Sequence, residues 1–135
     1  MGTARRFEDL EVFQEARELC KEVYRLTNKE PFNSDYRFVQ QIRAASGSIM
    51  DNIAEGFERN GNKEFVNFLY VAKGSCGEVR SQVLRANDVG FLNDAQATKL
   101  REECRTISKG LYHLAYNISK SGYVGYKFYE PQQDS

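Results

Sequence analysis

Apolar residues recur along this chain at alternating intervals of four and three, the spacing that lines one face of an α-helix. The first run is Val12, Ala16, Leu19, Val23 and Leu26, which predicts a helix over residues 9–28, stopped by Pro31. Ser34 stands where a second helix needs an N-cap, and Ile42, Ala45, Ile49, Ile53 and Gly56 share one face of it over residues 35–57. The turn at residues 59–62 breaks the pattern, and Asn62 can cap a third helix with the register Phe65, Leu69, Ala72, Cys76, Val79, Val83 and Ala86. Gly90 followed by Phe91 reads as a glycine helix ending, in which the chain turns left-handed and an apolar residue folds back. Asn93 and Gln96 then form a capping box ahead of Leu100, Cys104, Ile107, Leu111, Leu114 and Ile118. Gly122 and Tyr123 repeat the earlier ending.

Four helices joined by short turns favour antiparallel neighbours, so the predicted fold is all-α, an antiparallel up-down-up-down four-helix bundle over residues 9–122. Residues 1–8 are expected to be a flexible N-terminus. Residues 123–135 form an aromatic tail, with Tyr123, Tyr126, Phe128 and Tyr129 close together. So many rings suit an extended segment lying on the bundle or on a neighbouring subunit.

Composition narrows the picture mainly by exclusion. No apolar run approaches the roughly 20 residues that cross a bilayer, and no signal-peptide pattern opens the chain, so a cytoplasmic protein without membrane partners is expected. Cys20, Cys76 and Cys104 are too far apart for a zinc site and fall inside helix patterns, as reduced thiols would. The chain carries 19 basic and 19 acidic residues, a net charge of zero. The charge is unevenly spread: residues 8–28 hold six acids against three bases, and residues 94–120 hold five bases against three acids. Such asymmetry fits complementary packing or a local basic stripe.

The second and third helices contain tracts of small residues around Gly47, Gly74 and Gly77, each costing about 1 kcal/mol relative to alanine in a helix interior. Counted outward from the turn near residue 60 they stand at similar heights, which predicts close backbone approach between these helices or between subunits. A polar stripe runs alongside: Gln41, Ser48, Asn52, Glu55 and Arg59 on one helix, Ser75, Glu78 and Gln82 on the other. Glu55 and Glu78 do not make a catalytic pair, because their heights differ by roughly 20 Å at about 1.5 Å per residue. The stripe is read as an assembly seam. Glu55 would accept backbone N–H groups at the start of the third helix, and Glu78 would pair with Arg43 and Gln41. The one histidine, His113, has no triad partners, and no phosphate-cradling loop or metal spacing occurs. The reading is therefore not an enzyme, with no catalytic residue, metal or cofactor and no small-molecule substrate. On the fourth helix Lys99, Arg101, Arg105, Lys109 and Lys120 are a candidate nucleic-acid stripe, positions 101, 105 and 109 sharing a face.

The segment QIRAASGSIMDNIAEGFER at residues 41–59 closely resembles the hallmark of a bacterial family of small four-helix-bundle proteins, first noticed as reading frames in intervening sequences of 23S ribosomal RNA genes. Residues 65–92, with Phe68, Leu69, Ala72, Gly74, Ser75 and Glu78, resemble its second block, and residues 7–13 its opening. The resemblance implies the bundle fold and ring-like homo-oligomers, often pentameric. More distantly it extends to oligomeric accessory proteins of diversity-generating retroelements, which work with a reverse transcriptase and RNA. It brings no catalytic residue. Two functions follow as expectations: an oligomer that binds RNA or a ribonucleoprotein, and alternatively a protein–protein scaffold or adaptor that uses the aromatic tail as its contact.

Overall fold

Leu10, extended at φ −73°, ψ 132°, opens the first helix, and Asn28 closes it. In the computed structural model, which describes residues 3–59, 61–121 and 128–129, α1 spans Glu11–Thr27, α2 Tyr36–Glu58, α3 Asn62–Asp88 and α4 Asp94–Ser121. α3 packs along both α2 and α4, and α1 closes the bundle against α2 and α4. The apolar positions named above on all four stripes are buried, none more than 4% exposed. Aromatic side chains plug the ends. Phe32, Phe38 and Phe91 cluster with centroids 5.0–6.1 Å apart, bringing the α1–α2 and α3–α4 connections to one end. At the α2–α3 turn, Phe57 meets Phe65 edge to face at 5.8 Å.

The helix ends test the reading of the turns. After α3, Gly90 takes φ +86° and Phe91 N–H donates to Ala86 O at 2.8 Å, the expected glycine ending. Asn93 and Gln96 exchange the two hydrogen bonds of a capping box, at 2.8 and 2.9 Å. Two caps differ from expectation. Ser34 is consumed in the 3-10 turn Phe32–Ser34, where its hydroxyl donates to Pro31 O, and Asp35 caps α2 by accepting from Phe38 N–H at 3.2 Å. Asn62 is the first residue of α3, and Gly61, at φ +108°, stands at the cap.

Residues 1–8 were expected to be flexible, but Ala4 is buried and Phe7–Asp9 form a 3-10 turn in which Asp9 accepts from Arg6 N–H at 3.3 Å. The two-residue strands β1 (Thr3–Ala4) and β2 (Phe128–Tyr129) pair antiparallel, so part of the tail returns to the N-terminus. The rest of residues 122–135, including the ending expected at Gly122 and Tyr123, lies outside the described residues.

Candidate assembly seam and nucleic-acid interface

Of the polar stripe on α2 and α3, only the middle comes together. Ser48 Oγ and Ser75 Oγ lie 3.1 Å apart, and Asn52 Nδ2 donates to the carbonyl and the hydroxyl of Ser48 at 2.8 and 2.9 Å. Ser75 is buried, so this bond joins the two helices where an unpaired hydroxyl would be costly. Gln41 accepts from Arg85 Nη2 at 3.4 Å, and the Arg85 guanidinium covers the Phe38 ring at 4.3 Å. Arg85 carries no signal in the sequence beyond its height opposite Gln41.

Three expected pairings are replaced by others. Arg43 does not reach Glu78; it turns to the end of α1, donating to Thr27 Oγ1 and Asn28 Oδ1 at 3.0 Å each and lying over the Tyr24 ring. Glu78 instead accepts from Gln82 Nε2 at 3.4 Å, one turn along its own helix. Glu55 accepts from Arg59 at 2.8 Å rather than from the backbone of α3, and Arg59 also reaches Glu64 at 3.6 Å. Local i, i+4 partners sit closer than partners across the seam, and long charged side chains take the nearer one.

Close helix approach occurs at Gly56 rather than at the small-residue tracts. A β-carbon there would stand 2.5 Å from Phe68 Cβ and 3.0 Å from Phe65 Cδ1. Gly110 plays the same part between α4 and α1, its β-carbon position lying 2.8 Å from Val12 Cγ1. A β-carbon added at Gly47, Gly74 or Gly77 would meet nothing within 4 Å. Val71 and Leu84, on α3 with two of these glycines, are about half exposed.

α4 presents two different flanks. Towards α1 lies an open cleft of about 690 Å³ lined by Glu11, Glu15, Glu102, Arg105, Lys109 and His113. Burial, and then the Glu11 charge, push the Glu15 carboxyl above its ordinary value. Lys99 belongs to this acidic side, held by Glu103 at 2.9 Å, and so leaves the expected stripe. Arg101, Arg105, Lys109 and Lys120 form no ion pair among the described residues. Sequence reasoning missed that Tyr112 and Tyr116 continue their line at the same helical spacing. The two rings lie 6.3 Å apart, and Lys120 Nζ stands over Tyr116 at 5.8 Å. His113 meets Tyr112 edge to face and lies in the cleft without a triad.

The thiols of Cys76 and Cys104 are buried, which pushes both up to about 12 against the opposing pull of Arg80. Cys20 is partly exposed, and all three are free. A thiol reagent on the native protein at neutral pH should label Cys20 alone, with Cys76 and Cys104 reacting only on unfolding; fast labelling of all three would contradict the packing. Among the described residues no cluster of three or more histidine, cysteine or carboxylate groups could hold a metal, and no helix is long and apolar enough to cross a membrane.

The profile of the 23S rRNA-intervening sequence protein family matches residues 8–113. Among solved structures, a protein of unknown function from the S23 ribosomal protein family of Bacteroides thetaiotaomicron is similar in fold, with a TM-score of 0.68 and 19% identity. The match covers 74% of this chain and 94% of that one. Among curated proteins, none matches.

Proposed function

This chain belongs to the 23S rRNA-intervening sequence protein family, and from that premise we propose that it is a non-enzymatic, cytoplasmic homo-oligomer that binds RNA along the outer face of α4. The observation that carries the RNA reading is the line of cations at Arg101, Arg105, Lys109 and Lys120, held on one helix without carboxylate partners among the described residues. Phosphate neutralisation is the main source of affinity for nucleic acid, and four free cations on one face supply it locally despite a net charge of zero. The alternating up-and-down course of the helices is supported by contacts in opposed register on α2 and α3: Gly56 by Phe68, Ser48 with Ser75, and Gln41 with Arg85.

Self-association through the α2–α3 face, as a pentameric ring, fits the helix glycines at positions 47, 74 and 77. They weaken their helices, and a β-carbon at any of them would meet open space within one chain. Light scattering on the purified chain tests the oligomer, and a single mass at the monomer across concentrations would reject it. RNA binding is tested by a salt titration. Four phosphate contacts to a single strand give a slope of log affinity against log salt of about −3. Replacing Arg105 and Lys109 with glutamine should lower that slope by about half. No retention of any RNA at low salt would remove the RNA reading and leave the scaffold.

A further inference from the structure

We infer that the outer face of α4 takes single-stranded rather than duplex RNA, its unpaired bases stacking on Tyr112 and Tyr116 while the flanking cations hold the phosphates. The inference rests on the RNA reading above and specifies its ligand. Positions 101, 105, 109, 112, 116 and 120 recur at helical spacing, so the cations and the rings share one strip. It is roughly 29 Å long at about 1.5 Å per residue.

Tyr112 is 45% exposed and Tyr116 48% exposed, with their planes within 26° of each other. Single exposed tyrosines are ordinary on a protein surface, but two near-parallel rings with a lysine over one of them make a platform for flat, electron-rich partners. Duplex RNA hides its base faces and is bound by shape and backbone, so it has no use for exposed rings.

The surroundings favour one path. On the α1 flank, Arg105 and Lys109 share an open cleft with Glu11, Glu15 and Glu102, whose carboxylates repel phosphate. A strand held by these cations and rings would therefore run along α4 itself rather than down into the cleft with α1.

The test is fluorescence anisotropy of the full chain with a labelled, non-self-complementary RNA of about 12 nucleotides, within the usual site size, and with the same strand annealed to its complement. The single strand should bind at least about tenfold more tightly. Tyr112→Ala and Tyr116→Ala should each weaken it about fivefold or more, phenylalanine at either position should restore it, and duplex binding should not change. The chain has no tryptophan and eight tyrosines, so the tyrosine emission of the unaltered protein should be partly quenched by the single strand and not by the duplex, and the quenched part should shrink in Tyr112→Ala and Tyr116→Ala. Equal affinity for both forms, with neutral tyrosine variants and no quenching, overturns the inference and leaves RNA binding standing. No binding of either form overturns both.

Discussion

Phe65→Ala should lower stability by about 3–5 kcal/mol. Phe65 is fully buried, one turn into α3, where it packs edge to face on Phe57 and lies under the Gly56 crossing. Truncation removes the transfer energy of the ring and leaves a hole at the α2–α3 turn. The lining includes glycine and another ring, neither of which can swing in to fill it. Losing the edge-to-face pair adds about 0.5–1.5 kcal/mol beyond area. In a domain of this size the melting temperature should fall by roughly 10–20 °C. Phe65→Leu keeps most of the volume and should lose less than half as much. An alanine cost under about 1 kcal/mol in a denaturant titration would show that Phe65 does not plug that end of the bundle.

The burial pattern was readable in the sequence because it depends on periodicity alone. Each apolar position on the four stripes needed only the 3.6-residue turn to be assigned inward, and the glycine ending at Gly90 and the box at Asn93 and Gln96 are local motifs with their own hydrogen bonds. Polar partners were read less well because they depend on distances that spacing does not give. Arg43 could be set level with Glu78, but its side chain is long enough to reach the end of α1, where Thr27, Asn28 and Tyr24 offer two acceptors and a ring. Ser34 lost the capping role to its neighbour Asp35 because the preceding turn tightened to a 3-10 form, a one-residue shift that composition does not encode. Tyr112 and Tyr116 were legible in principle, since they continue the line of Arg101, Arg105 and Lys109. Reading charge alone along α4 passed over them.

The two proposed surfaces use the helices differently. α2 and α3 carry the hallmark segments and the glycines whose β-carbon positions are open within one chain, whereas α4 carries cations without ion pairs among the described residues and the exposed rings. A ring built through α2 and α3 would leave α4 on its outside, so several copies of the same short strip would face one RNA. On the proposed reading, each strip would bind only weakly when alone. Linked copies raise the effective concentration of the next contact, so affinity would fall steeply if the ring were broken even with every contact residue intact.

Glycine itself separates packing within a chain from packing between chains. Gly56→Ala should destabilise by about 1–2 kcal/mol, although alanine is the better helix former by about 1 kcal/mol. The new β-carbon would stand 2.5 Å from Phe68 Cβ. Both atoms are fixed to backbones, so no rotamer change can relieve the contact and α2 and α3 must move apart. Overpacking of that kind costs about 1–3 kcal/mol and outweighs the propensity gain. The same change at Gly74 or Gly77 meets open space within the chain and should raise the stability of a single bundle by up to about 1 kcal/mol. Denaturant titrations of the three variants, at protein concentrations where light scattering defines the species, give the comparison. If Gly74→Ala and Gly77→Ala lose stability in the oligomer and gain it on dilution to the monomer, the empty space beside them is filled by another copy of the chain. If they gain in both, the α2–α3 face is solvent and the proposed ring does not form there.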